Sequence, residues 1–100
     1  MSDVDYAAWT AVRSIGEAAL RAKSADLERI AAYLRGPEFL LSGFKGRGQS
    51  FREWDGQMRQ PILIAGPRLI VSISPQSGFL HKGSELDTLG IDREESRCKL

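Results

Sequence analysis

The chain's 100 residues set a ceiling of one domain, and 42% hydrophobic with 27% charged content is ordinary for a globular sequence rather than a disordered or fibrous one. A formal net charge of +1 argues neither for a nucleic-acid surface nor for an acidic partner. The single cysteine excludes an internal disulfide, no apolar run nears the ~20 residues of a membrane span, and Met1-Ser2-Asp3-Val4-Asp5 has no signal-peptide character, so the chain as written is expected to be cytoplasmic.

The first predicted element is a helix over 4–22. Ser2 or Asp3 can cap it by accepting hydrogen bonds from the free N–H groups of the first turn. Trp9, Val12, Ile15, Gly16 and Ala19 recur at three- and four-residue steps, which predicts their face as the buried stripe, with Arg13, Glu17 and Arg21 elsewhere. Ser24 is the expected cap of a second helix over 25–35, with Leu27, Ile30, Ala31 and Leu34 as its apolar stripe and Asp26 and Glu28 at the positive end of its dipole. Gly36-Pro37 ends it, Gly36 being able to turn left-handed and Pro37 unable to continue. Two antiparallel helices on a tight turn are the simplest local arrangement.

Beyond Glu38 the texture changes. Phe39-Leu40-Leu41 is a short apolar run, and Gly43 to Gly48 holds too much glycine for regular structure. Residues 49–54 read as a strand, folded by an Asp55-Gly56 type I′ turn onto a strand over 57–65. Pro61 cannot donate to a ladder and marks an edge or crossing point. After Gly66-Pro67-Arg68, a third strand over 69–74 alternates Leu69, Val71 and Ile73 against Ile70, Ser72 and Ser74. From Pro75 the chain reads as loop, with an apolar spot at Leu86, Leu89 and Ile91 and a charged end. The expected fold class is therefore α/β: two N-terminal helices (1–37), a small, mainly antiparallel hairpin sheet (38–75) and a tail (76–100), together one incomplete domain. Ile62 to Ala65 is apolar on both faces, which calls for cover on two sides, and two modest helices can supply only one. The apolar material is that of part of something larger, or of an obligate oligomer.

Several segments carry a family likeness. Asp5-Tyr6-Ala7-Ala8-Trp9, then Tyr33-Leu34-Arg35, Phe44-Lys45-Gly46 and the run from Phe51 through Trp54-Asp55-Gly56 to Pro61-Ile62 resemble the C-terminal end of type I periplasmic substrate-binding proteins, the branched-chain amino acid receptor-like components of ABC transporters. Gly78-Phe79-Leu80-His81, Glu85 to Asp92 and a cysteine near the end are similar to the branch associated with PQQ-dependent alcohol oxidation. The likeness covers nearly the whole chain, but the family's signal peptide and most of both lobes have no counterpart here. It implies a fragment of a two-lobed receptor that closes on a small solute like a hinged clamp, with an ABC permease as partner and a periplasmic location for the full-length parent.

The resemblance also colours the candidate site residues. Tyr6 can face the cleft, as an aromatic near this position does in related receptors, or serve as a packing residue. Trp54, beside the turn, can close a pocket or act as a cross-strand partner. Gln57 and Arg59 alternate onto one face, and a guanidinium suits a carboxylate ligand, although a strand arginine is commonly a surface ion-pair residue. Together Tyr6, Trp54, Gln57 and Arg59 are the expected ligand-binding residues. His81 stands apart from any metal-ligand spacing. Cys98, between Arg97 and Lys99, can be a somewhat acidified thiol; in the exported family it pairs with a cysteine this chain lacks.

Other classes fit less well. Phe44, Lys45, Arg47 and Phe51 mix basic and aromatic residues as a small nucleic-acid-binding module does, yet Glu53 and Asp55 follow at once. No nucleophile-elbow motif places a serine near a histidine and an acid, and the glycines at 43, 46 and 48 lack the Lys-Ser/Thr ending of a phosphate loop. The expectation is a non-catalytic binding protein with no cofactor, no nucleic-acid partner and no membrane insertion.

Overall fold

The computed structural model describes residues 2–76, 81 and 84–97, leaving aside the side chain of Leu89. The expected Gly78-Phe79-Leu80 segment and Cys98 lie outside the described residues. Two helices precede small antiparallel sheets of two and three strands, a mixed α/β fold.

Helix α1 spans Asp3–Ala22. Ser2 caps it, its hydroxyl accepting from the Asp5 N–H at 3.3 Å, while the Asp5 carboxylate accepts from the Ser2 N–H at 2.8 Å. The Ser2 N–H and the Ser2 hydroxyl, which also donates to that carboxylate at 2.8 Å, hold the Asp5 carboxyl below its ordinary value, the backbone N–H contributing most. At the other end Lys23 adopts the left-handed conformation (φ 50°, ψ 42°), its N–H reaching Leu20 and that of Ser24 reaching Ala19, a Schellman closure made without glycine. Helix α2 spans Leu27–Arg35 and packs against α1. Asp26, not Ser24, caps it, accepting from the Arg29 N–H at 3.1 Å; the Ser24 hydroxyl instead accepts from the Asp26 N–H. Gly36 ends the helix in extended backbone (φ −76°, ψ 163°), so the left-handed stop expected there is not used.

Strands β1 (Leu41–Ser42), β2 (Gly48–Phe51) and β3 (Met58–Arg59) form one antiparallel sheet, with Leu41 opposite Gln49 and Phe51 opposite Met58. The β2–β3 connection is not the expected two-residue type I′ turn. The Arg52 N–H donates to the Gln57 carbonyl at 2.8 Å, the Gly56 N–H to the Arg52 carbonyl at 3.0 Å, and only Gly56 of the Asp55-Gly56 pair has positive φ (72°). A loop of residues 53–56 results, with Gly56 supplying the left-handed step. The expected strand over 57–65 is likewise broken. Buried Pro61 separates β3 from β4 (Ile62–Ala65), which pairs instead with β5 (Ile70–Ser74) in a separate ribbon bulged at Ile64/Ala65. The tail, read as loop, includes a 3₁₀ helix, η1 (Glu85–Leu89).

The core is small: Ala18, Phe39 and Leu41 are buried, and Ile30, Tyr33, Leu34, Phe51 and Met58 pack around them. Tyr33 meets Phe39 edge-on at 6.3 Å between ring centres, and Phe39 lies 5.7 Å from Phe51. The expected stripe of α1 points away from this core. Val12 is 73% and Ile15 55% exposed, whereas Thr10, Ser14 and Ala18 face inward, and the hydroxyls of Thr10 and Ser14 have no hydrogen-bond partner. The ribbon shows the same trend from Val71 on: Leu69, Val71 and Ile73 are exposed while Ser72 and Ser74 are half-buried, although Ile70, expected on the face of the serines, is exposed as well.

Candidate functional site

Two constellations stand out, a groove beside α1 and an ionic clasp between the β2–β3 loop and the tail. The groove begins with Tyr6. Its hydroxyl donates to the Gly43 carbonyl at 2.5 Å and accepts from Gln49 Nε2 at 2.9 Å, tying α1 to the start of the sheet. Gly43 permits this approach, because a Cβ there would lie 2.5 Å from the Gln49 side-chain oxygen. The next residue, Phe44, has positive φ (61°), and its ring stacks 5.6 Å from Trp9, which in turn lies 5.9 Å from Tyr6. This bend delivers Lys45 onto the Tyr6 ring, Nζ 4.6 Å from its centre, and within 2.8 Å of Gln60 Oε1. Between these residues lies a half-open groove of about 780 Å³, lined among others by Tyr6, Thr10, Lys45, Phe51, Met58 and Leu63.

The clasp centres on Arg52, 2% exposed. Its Nε donates to Asp87 Oδ1 at 2.7 Å, its Nη2 to the Asp87 carbonyl at 2.9 Å, and its Nη1 to the Ile91 carbonyl at 2.9 Å, with Asp55 and Gln57 oxygens at 3.3 and 3.2 Å. Arg59 Nε donates to the same Asp87 oxygen at 2.7 Å. Burial pushes the Asp87 carboxyl up, but the hydrogen bonds and charges of Arg59 and Arg52 outweigh it and hold the group below its ordinary value. Arg47 pairs with Glu85, a further link from sheet to tail.

The four expected ligand-binding residues therefore divide between two places. Tyr6 lines the groove. Arg59 and Gln57 belong to the clasp, and Trp54 lies under the Arg52 guanidinium, 5.4 Å from its carbon to the ring centre. His81 Nε2 sits 2.7 Å from an Asp92 carboxylate oxygen, and no cluster of three His, Cys, Asp or Glu suited to a metal occurs among the described residues. No helix among the described residues is long and apolar enough to cross a membrane. Sequence reasoning missed Arg52, Asp87, Thr10 and Gln60. The Asp55 carboxylate at i+3 was the sole local signal for Arg52, since Asp87 lies 35 residues away. No protein-family model, no curated protein and no solved structure matches this chain.

Proposed function

We propose that the chain is the C-terminal part of a type I solute receptor of an ABC importer, of the branch linked to PQQ-dependent alcohol catabolism, and that it acts by binding rather than catalysis. The observation that carries this reading is the pair of inverted elements. α1 turns Val4, Val12 and Ile15 outward, and the β4–β5 ribbon exposes Ile62, Ile64, Leu69, Ile70 and Val71. In a two-lobed receptor such faces are covered by the sheet and helices of the remaining lobes. The sequence likeness supplies the class, and Tyr6 in the groove is the contribution of this segment to one wall of the solute cleft. Clamp receptors draw affinity from closing both lobes on the ligand, so one wall binds weakly.

The test has two arms. Sequencing the DNA upstream of the Met1 codon is expected to find an in-frame continuation encoding the rest of both lobes; a promoter and ribosome site directly upstream overturn the reading. Titration calorimetry of the chain is expected to give no micromolar binding of amino acids, short alcohols or their acid products, and such binding overturns it as well.

A further inference from the structure

We propose that the groove beside α1 is a binding site for an amphipathic monocarboxylate of medium chain length, its carboxylate on Lys45 and its alkyl body between α1 and the sheet. Every residue this proposal uses is among the described ones, and it is argued from the groove's own chemistry, independently of the receptor reading.

Lys45 sets the head group. It is half-buried, yet its partners are neutral: the side-chain Oε1 of Gln60 at 2.8 Å and the face of the Tyr6 ring. Among the described residues no carboxylate lies within ion-pair distance of it, whereas the other loop cation, Arg47, is paired with Glu85. A half-buried ammonium whose nearby acceptors are neutral still gains from a charge-assisted contact with an anion. Asp3 is the acid of the lining, but it stands exposed in the first turn of α1, where water screens it.

The walls set the body. Ala7 and Ala11 on one side and Phe51, Met58 and Leu63 on the other are apolar, and methionine and aromatic rings adapt to a flexible alkyl chain. A volume of about 780 Å³ falls within the range of small-molecule sites and far exceeds what a two- or three-carbon acid fills. Thr10, 5% exposed, adds a buried hydroxyl without a partner to the same wall. An amino acid fits poorly, since its own ammonium would be set against Lys45.

The experiment titrates the chain by calorimetry with acetate, with decanoate and decyltrimethylammonium below their micellar concentrations, and with decanol below its solubility limit. Decanoate is expected to saturate at one per chain and to bind at least tenfold more tightly than decanol, the ratio that one charge-assisted contact supplies. The cationic analogue and acetate are expected to bind at least tenfold more weakly than decanoate. Lys45→Gln is expected to reduce decanoate affinity about tenfold while leaving decanol unchanged, and Lys45→Arg to restore most of the loss. Equal binding of decanoate and decanol, several decanoates per chain, no decanoate binding, or an unaltered Lys45→Gln variant would each overturn the proposal. The first two mark adsorption to the bare faces of α1 and the ribbon. The head-group comparison in the unsubstituted chain keeps the test decisive should the variants fold poorly.

Discussion

Replacing Arg52 with Met keeps most of the stem volume and deletes the guanidinium that holds the tail to the sheet. Three of the five hydrogen bonds of that guanidinium reach the tail, two to Asp87 and one to the Ile91 carbonyl. Removing one partner of a buried ion pair costs about 3–5 kcal/mol when the other charge is left alone. Asp87 is not left alone, because Arg59 still donates to the same oxygen, so the lower end, about 3 kcal/mol, is the reasonable figure. At 1.4 kcal/mol per factor of ten, the docked population of the tail should fall roughly a hundredfold relative to the open one. Hydrogen exchange followed by mass spectrometry reads this directly: amides in 84–92 are expected to exchange about a hundredfold faster in Arg52→Met, with those of α1 little changed. Arg52→Lys should fail to rescue, since one ammonium cannot serve two carbonyls and a carboxylate spread around a planar fork. Exchange of 84–92 within threefold of the parent chain would refute the assignment of Arg52 as the tail's anchor.

Other expectations follow from the same geometry. Because the folded Asp87 carboxyl is held below its ordinary value of 3.8, its contribution is fully present above that pH and is lost as pH falls through the folded value; exchange of 84–92, corrected for intrinsic rate, should therefore be flat above pH 5 and rise below pH 4. Gly90→Ala should loosen the same segment, since a Cβ there would sit 2.8 Å from Arg52 Nη2; unchanged exchange would show that the guanidinium yields without loss. Gly56→Val should cost about 1–3 kcal/mol at its positive φ, read as faster exchange across 48–59, and an effect under ~0.5 kcal/mol would contradict the left-handed step. Ser14→Ala should slow exchange of α1 amides by the equivalent of about 1 kcal/mol, because a buried hydroxyl without a partner is removed and a better helix former installed; faster exchange would mean that the hydroxyl has a partner.

The local grammar of the chain was legible where one residue type dictates one backbone. A cap for α1 at Ser2 or Asp3, both helices and the strand from Ile70 all follow from capping chemistry and periodicity, whereas Pro61, read as an edge or crossing point within one strand, in fact ends β3 before β4. The hairpin turn was misread for a structural reason. Asp55-Gly56 satisfies the rule for a two-residue hairpin, but Arg52 and Gln57 pair their backbones first, and that outer pairing sets the loop length. Lys23 takes a left-handed geometry that sequence rules reserve for glycine or asparagine, because the Schellman bonds to Ala19 and Leu20 offset its strain. The sites were less legible for a simpler reason. Lys45 meets Gln60 across 15 positions, Tyr6 meets Gln49 across 43, and Arg52 meets Asp87 across 35, and no local spacing encodes such partners.

The stripe of α1 carries the larger lesson. Periodicity correctly grouped Val12, Ile15 and Ala19 on one face, but it reports which residues share a surface and is silent on what that surface meets. The choice of docked face is made by Tyr6, whose hydroxyl is committed to Gly43 and Gln49, and by Ala18, small enough to let α1 approach the core. Once those contacts turn the helix, Thr10 and Ser14 are drawn inward unsatisfied and the aliphatic side chains are carried outward. Each choice runs against the hydrophobic effect taken alone, and β5 repeats it by half-burying Ser72 and Ser74 while exposing Val71 and Ile73. Two elements that both expose an aliphatic row are hard to ascribe to local sequence preference. A second apolar layer on their outer faces would remove the conflict, because the aliphatic rows would then become core.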